Sequence, residues 1–506
     1  MPFDRPRFVL VKIGHLMNAT GHCATLDGSQ PKFGRFATGR GKGVGRTMAG
    51  SGRHEHAASE HQGWSGMSAE SQGSGQALWN RAKKVIPGGS MVLSKRAEMQ
   101  LPTGWPAYFS RSSGCRVWDL DGREYLDFGL MGVGTNLLGY GHPDVDAAVR
   151  KVIDDGNMST LNAPEEVELA EELIALHPWS GMARFARSGG EACAIATRIG
   201  RAASGRDGVA FCGYHGWHDW YLAANLGEDS ALDGHLLPGL EPRGVPRGLR
   251  GTAHPFAFND LAALAEIMAG GDIGVIFMEV TRRRDPDPGF LEGVRTLADK
   301  YGAVLVFDEC TSGFRRVLGG THLDFGVDPD IAVFGKSLGN GYAVSAVIGR
   351  ETVMQACQDT FISSTFWTER IGSVAGVAAL AAMRREDAPR RVEALGRSIQ
   401  ARWLELGAEH GLDLEISGLP AIAGFAVNGL KPLATKTFIT QEMLKRGFLA
   451  AQVMYVSVPH ENPEVLERYF TALGEVFASL AKFDDDTDLM RALPDGMCQT
   501  GFTRLA

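Results

Sequence analysis

Between residues 183 and 349, six short β-rich runs, ARFA, GVAFC, IGVIFM, AVLVF, IAVF and SAVIG, recur with helix-sized segments between most of them. Strands joined by helices pair through crossovers, so the pattern predicts a mostly parallel sheet covered by helices on both faces. In such sheets ligands bind beyond the carboxyl ends of the strands. Ser188-Gly189-Gly190, Tyr214-His215-Gly216, Glu279, Asp308-Glu309 and Lys336 all fall at or just past run ends. Their polar groups are therefore predicted to share one sheet edge.

On either side the periodicity changes. Residues 77–86 read as a short amphipathic helix stopped by Pro87-Gly88-Gly89, because proline cannot continue it and glycine accepts the left-handed exit. CRVWDLDGREYLDF alternates large apolar and polar residues around Asp121-Gly122, which predicts a β-hairpin with a type I′ turn. Helices follow at 143–155 and 164–177, each opened by proline, where a missing N–H costs nothing. Beyond Ile371 come helices at 371–385 and 389–410, strands near 412–417, 424–427 and 453–458, and a last helix at 463–481. These form a separate C-terminal α+β lobe.

Composition sets limits on function. With 506 residues, 44% hydrophobic and 22% charged, the chain has enough apolar residues for more than one core, and global disorder is excluded. A net charge of -8 argues against a generally basic nucleic-acid or membrane-surface binder and points to small molecules or other subunits as partners. No apolar run reaches the roughly 18 residues of a membrane span. The seven cysteines are odd in number and scattered, without a CxxC pair, so neither a disulfide framework nor a zinc knuckle is indicated and a reducing cytoplasm fits best.

Residues 1–66 read as an addition. They are locally basic and glycine-rich around 39–52, with little apolar periodicity, which predicts disorder. A targeting reading lacks a long apolar region, an amphipathic helix and a cleavage site, and the favoured reading starts the biological chain at Met67. GRGKGVGRT misses the Walker pattern because Lys42 is followed by Gly43 rather than Ser or Thr.

The chemistry gathers in one constellation. Lys336, after IAVF and Gly335 and before Ser337 and two glycines, presents an amine in a close-packed turn, where desolvation favours the neutral nucleophile that forms Schiff bases. A lone lysine is ordinarily a solvated surface charge, so the reading depends on its neighbours. Asp308 ends the apolar run AVLVF. A carboxylate there can hold a proton on the ring nitrogen of pyridoxal phosphate and keep that ring an electron sink, although alone it would read as a helix cap or an ion pair.

Ser188-Gly189-Gly190-Glu191 precedes the helical ACAIATRIGRAA, and backbone N–H groups at a helix start make a natural phosphate seat. Gly pairs also mark plain tight turns. Tyr214 offers a flat face for a cofactor ring, or is ordinary packing. A zinc site on His215 and His218 lacks carboxylate or thiolate partners in the sequence, so no metal is expected.

FARSGGEA, GYHGWH, VLVFDECTSGFR, FGKSLGNG and STFWTERIGSVAGVAAL occur in that order, with RAKKVIPGG and VWDLDGREYLDF upstream. Together, over about residues 78–480, they resemble the class III pyridoxal-phosphate-dependent aminotransferases, most closely the branch that includes glutamate-1-semialdehyde aminomutase. The resemblance implies fold type I, with a large mixed, mostly parallel α/β domain holding the cofactor (143–385). A small α+β domain would be built from 67–142 and 386–483, with 484–506 as a tail.

The resemblance further implies Lys336 as the Schiff-base lysine and proton shuttle, Asp308 as the ring-nitrogen partner, and Ser188, Gly189 and Gly190 as the phosphate loop. Tyr214 is the stacking ring, and Cys310, where relatives carry Val, lies against the opposite face. Thr365 is implied to reach the phosphate of the neighbouring subunit in a homodimer with shared active sites. Glu279 and His215 fall on family positions near the cofactor.

Departures bear on the substrate. Trp367-Thr368-Glu369-Arg370 stands where aminomutases have Ser-Gly-Asn-Pro, placing bulk and charge near the substrate entrance. Lys95 and Arg96 lie near the aminomutases' carboxylate-binding arginine. Arg187 either adds positive charge or pairs with a carboxylate. The expected function is ping-pong amino transfer between an amino donor and a carbonyl acceptor. The alternatives are aminomutase chemistry on one retained substrate and a non-catalytic binding protein, the latter opposed by the presence of both Lys336 and Asp308. A nicotinamide dehydrogenase fails for want of a GxGxxG turn after the first strand.

Overall fold

The computed structural model of the chain describes residues 73–281 and 283–502. The disorder expected of 1–66, the start at Met67 and Cys23 lie outside the described residues. In chain order the strands are β1 (Phe109–Ser113), β2 (Arg116–Asp119), β3 (Glu124–Phe128), β4 (Met182–Ala186), β5 (Gly208–Cys212), β6 (Ala253–Pro255) and β7 (Ile273–Glu279). They continue with β8 (Val304–Asp308), β9 (Ile331–Phe334), β10 (Ser345–Gly349), β11 (Leu414–Ser417), β12 (Ile422–Val427), β13 (Phe448–Ala450) and β14 (Val453–Tyr455).

The central sheet has seven strands in the order β4-β10-β9-β8-β7-β5-β6. Pairs β5–β6, β5–β7, β7–β8 and β8–β9 are parallel, while β10 runs antiparallel to β9 and β4. Every residue of β5, β7, β8, β9 and β10 is buried, which explains why these segments read as unbroken apolar runs. Two apolar layers cover the sheet. One packs the helix Gly189–Ser204 against Val209, Phe277 and Val306, and the other packs Leu261–Ala269 and Phe290–Tyr301 against Ile276, Leu305 and Phe307.

All six predicted strands of this sheet are present. β6 was not predicted, being three residues long and ending in proline on a sheet edge.

The two chain ends meet in a second sheet, β1-β2-β3-β13, through a parallel pairing of β13 with β3. There Phe128 stacks on Tyr469 of the helix Pro463–Leu480, with ring centroids 4.1 Å apart. A third sheet, β11-β12-β14, lies beside the helix Ala388–Glu409.

Two expectations are corrected. The β2–β3 hairpin closes through the four residues 120–123, not a type I′ turn: only Gly122 has positive φ (80°), and the Asp119 carboxylate accepts from the N–H groups of Asp121 and Arg123. The described part of the expected tail, 484–502, is packed. Leu489 and Cys498 are buried, and the Cys498 N–H donates to Thr437 Oγ1 at 3.0 Å. No helix of the described residues is long and apolar enough to cross a membrane, and no disulfide joins their six cysteines.

Candidate active site

The ends of neighbouring strands bring the candidate residues together. Glu279 and Asp308 close β7 and β8 and stand in register with each other. Val333 of β9 is the register partner of Asp308, and Lys336 follows it after the strand ends. Tyr214 and His215 follow β5, and Ser188 follows β4.

Asp308 is buried, and its carboxylate meets three neighbours. Oδ2 lies 2.7 Å from His215 Nδ1 and 3.5 Å from Cys193 Sγ, while Oδ1 accepts from the Cys310 N–H at 3.0 Å. Burial alone would raise its pKa, but the hydrogen bond and charge of His215, with the bonds from Cys310, outweigh it and hold the carboxyl below its ordinary value. His215 Nε2 lies 3.2 Å from the Cys212 carbonyl, so the ring is held from both nitrogens.

The expectation that His215 lacks thiol and carboxylate partners is thus overturned, since Cys193 and Asp308 surround it, with ligand atoms within 4.8 Å of one another. A contact of 2.7 Å is nevertheless a hydrogen-bond spacing. Ligands around a tetrahedral zinc with bonds of about 2.0 Å stand roughly 3.3 Å apart. His218 lies elsewhere, against Gly190 and Trp217.

Ser188 caps the helix Gly189–Ser204 in a capping box with Glu191, whose Oε2 accepts from the N–H groups of Ser188 and Arg187. The first-turn N–H groups of Gly189 and Gly190 are then free of intrahelical acceptors and point outward at the positive helix end. Gly216, at φ 97°, lies so close that a Cβ there would stand 2.8 Å from Gly190 Cα, and one on Gly189 would meet Cys310 Sγ at 3.1 Å. At Gly216 the approach leaves no room for a side chain, and at Gly189 it is tight. A seat of backbone donors, a buried anionic carboxylate and a neighbouring amine form the donor set that pyridoxal phosphate requires, and the residues fit it.

Tyr214 is 40% exposed, and its N–H donates to Glu279 Oε2 at 3.3 Å. Burial of the rest of the side chain raises its phenol. Cys310 has its Sγ between Gly189 and Gly335, its thiol raised because burial and Asp308 outweigh the opposing bond with Cys193. Thr365 opens a short 3-10 helix, Thr365–Thr368, and is exposed.

Arg187 is a structural pair: its Nε lies 2.8 Å from Glu369 Oε1, and it donates to the carbonyls of Trp367 and Glu369. Trp367 Nε1 in turn donates to Glu191 Oε1 at 3.3 Å. The Trp367–Arg370 run is therefore pinned to the N-terminal cap of the Gly189–Ser204 helix.

Sequence reasoning missed two groups. Lys336 Nζ donates to Thr311 Oγ1 at 2.6 Å, and Cys193 reaches Asp308 from the first turns of the Gly189–Ser204 helix. Thr311 stands three residues past Asp308 in the same turn, and its hydroxyl was the available signal.

The family model for aminotransferase class III matches residues 101–234 and 271–458. The chain belongs to this family. It is 33% identical over 353 residues to a 3-aminobutyryl-CoA aminotransferase of Cloacimonas acidaminovorans, covering 68% of this chain and 81% of that one. To a glutamate-1-semialdehyde 2,1-aminomutase of Desulfovibrio desulfuricans it is 36% identical over 321 residues, covering 61% and 74%. Among solved structures, an omega-transaminase from Sphaerobacter thermophilus superposes with a TM-score of 0.71 at 25% identity, over 82% of this chain and 99% of that one. The class III chain is an enzyme of amino-group transfer, its fold is type I, and its cofactor is pyridoxal phosphate.

Proposed function

We propose that this enzyme moves an amino group from an amino donor to a separate carbonyl acceptor. In this reading Lys336 is covalent anchor and proton carrier, Asp308 the partner of the cofactor's ring nitrogen, and Ser188, Gly189 and Gly190 the phosphate seat. Tyr214 and Cys310 wall the ring on its two faces. The convergence of Lys336, the His215-paired Asp308 and the glycine cradle on one sheet edge supports it most.

Pyridoxal phosphate, when bound, supplies an electron sink for the substrate carbon that bears the amine. Asp308, its carboxyl held below its ordinary value, would keep a proton on the ring nitrogen of the bound group. Lys336 Nζ takes the proton from the substrate carbon and returns it at the neighbouring position. Glu279 fixes the backbone of Tyr214 and so the placement of its ring.

A mutase reading is favoured by the 36% identity to an aminomutase and uses the same groups on one retained substrate. The pinned Trp367–Arg370 run, where aminomutases carry small residues, favours transfer between two substrates. Relatives act on substrates as different as a coenzyme A thioester and a semialdehyde, so the donor is sought among amines with an oxidised carbon two or three atoms away.

A homodimer with shared sites belongs to the same reading. Phe361 and Phe366, 84% and 69% exposed, flank Thr365 in the sequence and call for a cover. Thr365 would reach the phosphate bound by the other subunit. The division into a large domain (143–385) and a small domain from 67–142 and 386–483 is supported by the β3–β13 pairing. The free cysteines support a cytoplasmic location.

The test is a panel of amino donors and carbonyl acceptors given to the purified protein, with both products counted. Release of one keto product from the donor per acceptor aminated supports transfer between two substrates. Conversion of a single substrate with no donor product overturns it in favour of the mutase.

A further inference from the structure

Lys336 is half-buried, and its backbone is held in the left-handed region at φ 44°. From there its long side chain reaches Thr311, whose Oγ1 accepts from Nζ at 2.6 Å. A lysine carries about 2 kcal/mol of rotamer entropy, so an unrestrained amine in a site of this kind spends little time in any one position. A hydroxyl at 2.6 Å removes much of that freedom.

Thr311 is itself fixed, first by its β-branched side chain, which is stiff at χ1. Its carbonyl accepts from Arg315 Nε at 2.7 Å. Arg315 is buried, donates a second bond to the Gly134 carbonyl and lies over the Tyr455 ring with 5.3 Å to the centroid. Burial lowers its pKa to about 10. A guanidinium placed at that cost and spent on two carbonyls and a ring holds the turn from Asp308 to Arg315 in one conformation. At the other end of the turn the Cys310 N–H is bonded to Asp308 Oδ1.

We propose that Thr311 is a catalytic residue of the amino-transfer reaction, its hydroxyl oxygen accepting a hydrogen bond from Lys336 Nζ whenever that amine is not tied to the cofactor. The inference rests on the reading of Lys336 given above. One N–H of the freed neutral amine donates to Thr311 Oγ1, which leaves the nitrogen lone pair directed away from the hydroxyl and toward the substrate carbon. When the carbon–hydrogen bond breaks, its electron pair stays on the carbon, the proton forms a new N–H bond at Nζ, and the ammonium remains on Thr311 until it gives the proton back. One short turn thus carries Asp308 for the ring nitrogen and Thr311 for the amine.

Three variants of the holoenzyme, Thr311→Val, Thr311→Ser and Lys336→Ala, test this. Thr311→Val is expected to slow kcat about tenfold to a hundredfold, the range of a hydrogen bond to a charged group, with the KM of the donor unchanged. The deuterium isotope effect at the donor carbon rises as proton transfer becomes slower. Apoprotein of the same variant is expected to capture added pyridoxal phosphate more slowly, read by borohydride trapping and free of turnover. Thr311→Ser restores both readouts. If the valine variant does not fold, Thr311→Ala carries the same comparison.

A valine or alanine variant with wild-type isotope effect and capture rate overturns the proposal, as does a serine variant that behaves like valine. Retained turnover in Lys336→Ala overturns the underlying reading instead, so the two failures are distinct.

Discussion

His215 Nδ1 lies 2.7 Å from Asp308 Oδ2, with both side chains buried. The carboxylate proposed to address the cofactor's ring nitrogen is therefore held by a second titratable group, itself anchored through Nε2 to the Cys212 carbonyl. Replacing His215 with Asn keeps a polar group but removes the imidazole that meets Asp308 Oδ2 at 2.7 Å. The expected loss is about 1.5–3 kcal/mol of support for the anionic carboxylate, roughly tenfold to a hundredfold in kcat. Steady-state kinetics of His215→Asn check it, and wild-type kcat would remove His215 from the account.

The glycine cradle gives a steric prediction. At Gly216 a Cβ is both strained by φ 97° and directed at Gly190 Cα, 2.8 Å away, with backbone on both sides and nothing able to yield cheaply. Gly216→Ala is expected to cost about 1–2 kcal/mol from backbone strain alone, with the clash adding to it. Cofactor retention should fall at least tenfold, measured as the visible absorption left after dialysis.

Much of this site was legible in the sequence because its parts are local. Apolar runs mark β4, β5, β7, β8, β9 and β10, and the residue just past each run is where a ligand-facing group must stand in a sheet of this type. Lys336, Asp308 and the Gly189–Gly190 seat followed from that. Contacts between residues distant along the chain were not legible. Nothing near Phe448 announces a parallel pairing with β3, and nothing near Cys193 announces Asp308. The hairpin loop was misread because Asp119, a side chain outside the turn, decides its shape.

Acid sensitivity follows from two buried histidines. His177 and His460 are lowered by burial from 6.5 to about 4, with only partial opposition from the carbonyls of Leu173 and Asp127. The unfolded chain binds these protons first, so the stability is present above about pH 6.5 and lost as pH falls toward 4, by about 1.4 kcal/mol per pH unit for each group. The thermal midpoint should fall across that window. His460→Gln should flatten the slope, and an unchanged slope would contradict the assignment.

The proposal of shared sites makes a complementation prediction. Lys336→Ala and Thr365→Val subunits are each expected to be severely impaired as homodimers. Unfolded together and refolded, half the dimers pair one of each, and one of the two sites regains both groups. Activity of about a quarter of the wild type is the statistical expectation. Activity no greater than the mean of the parents would place Thr365 and Lys336 in the same subunit's site or remove Thr365 from it.

The most direct measurement is borohydride reduction of the holoenzyme, followed by proteolysis and mapping of the labelled peptide. The expected result is a single pyridoxyl group on Lys336, in the peptide that continues SLGNGY. A label on another lysine, or none in protein that carries its cofactor, would contradict the assignment of this amine as the anchor.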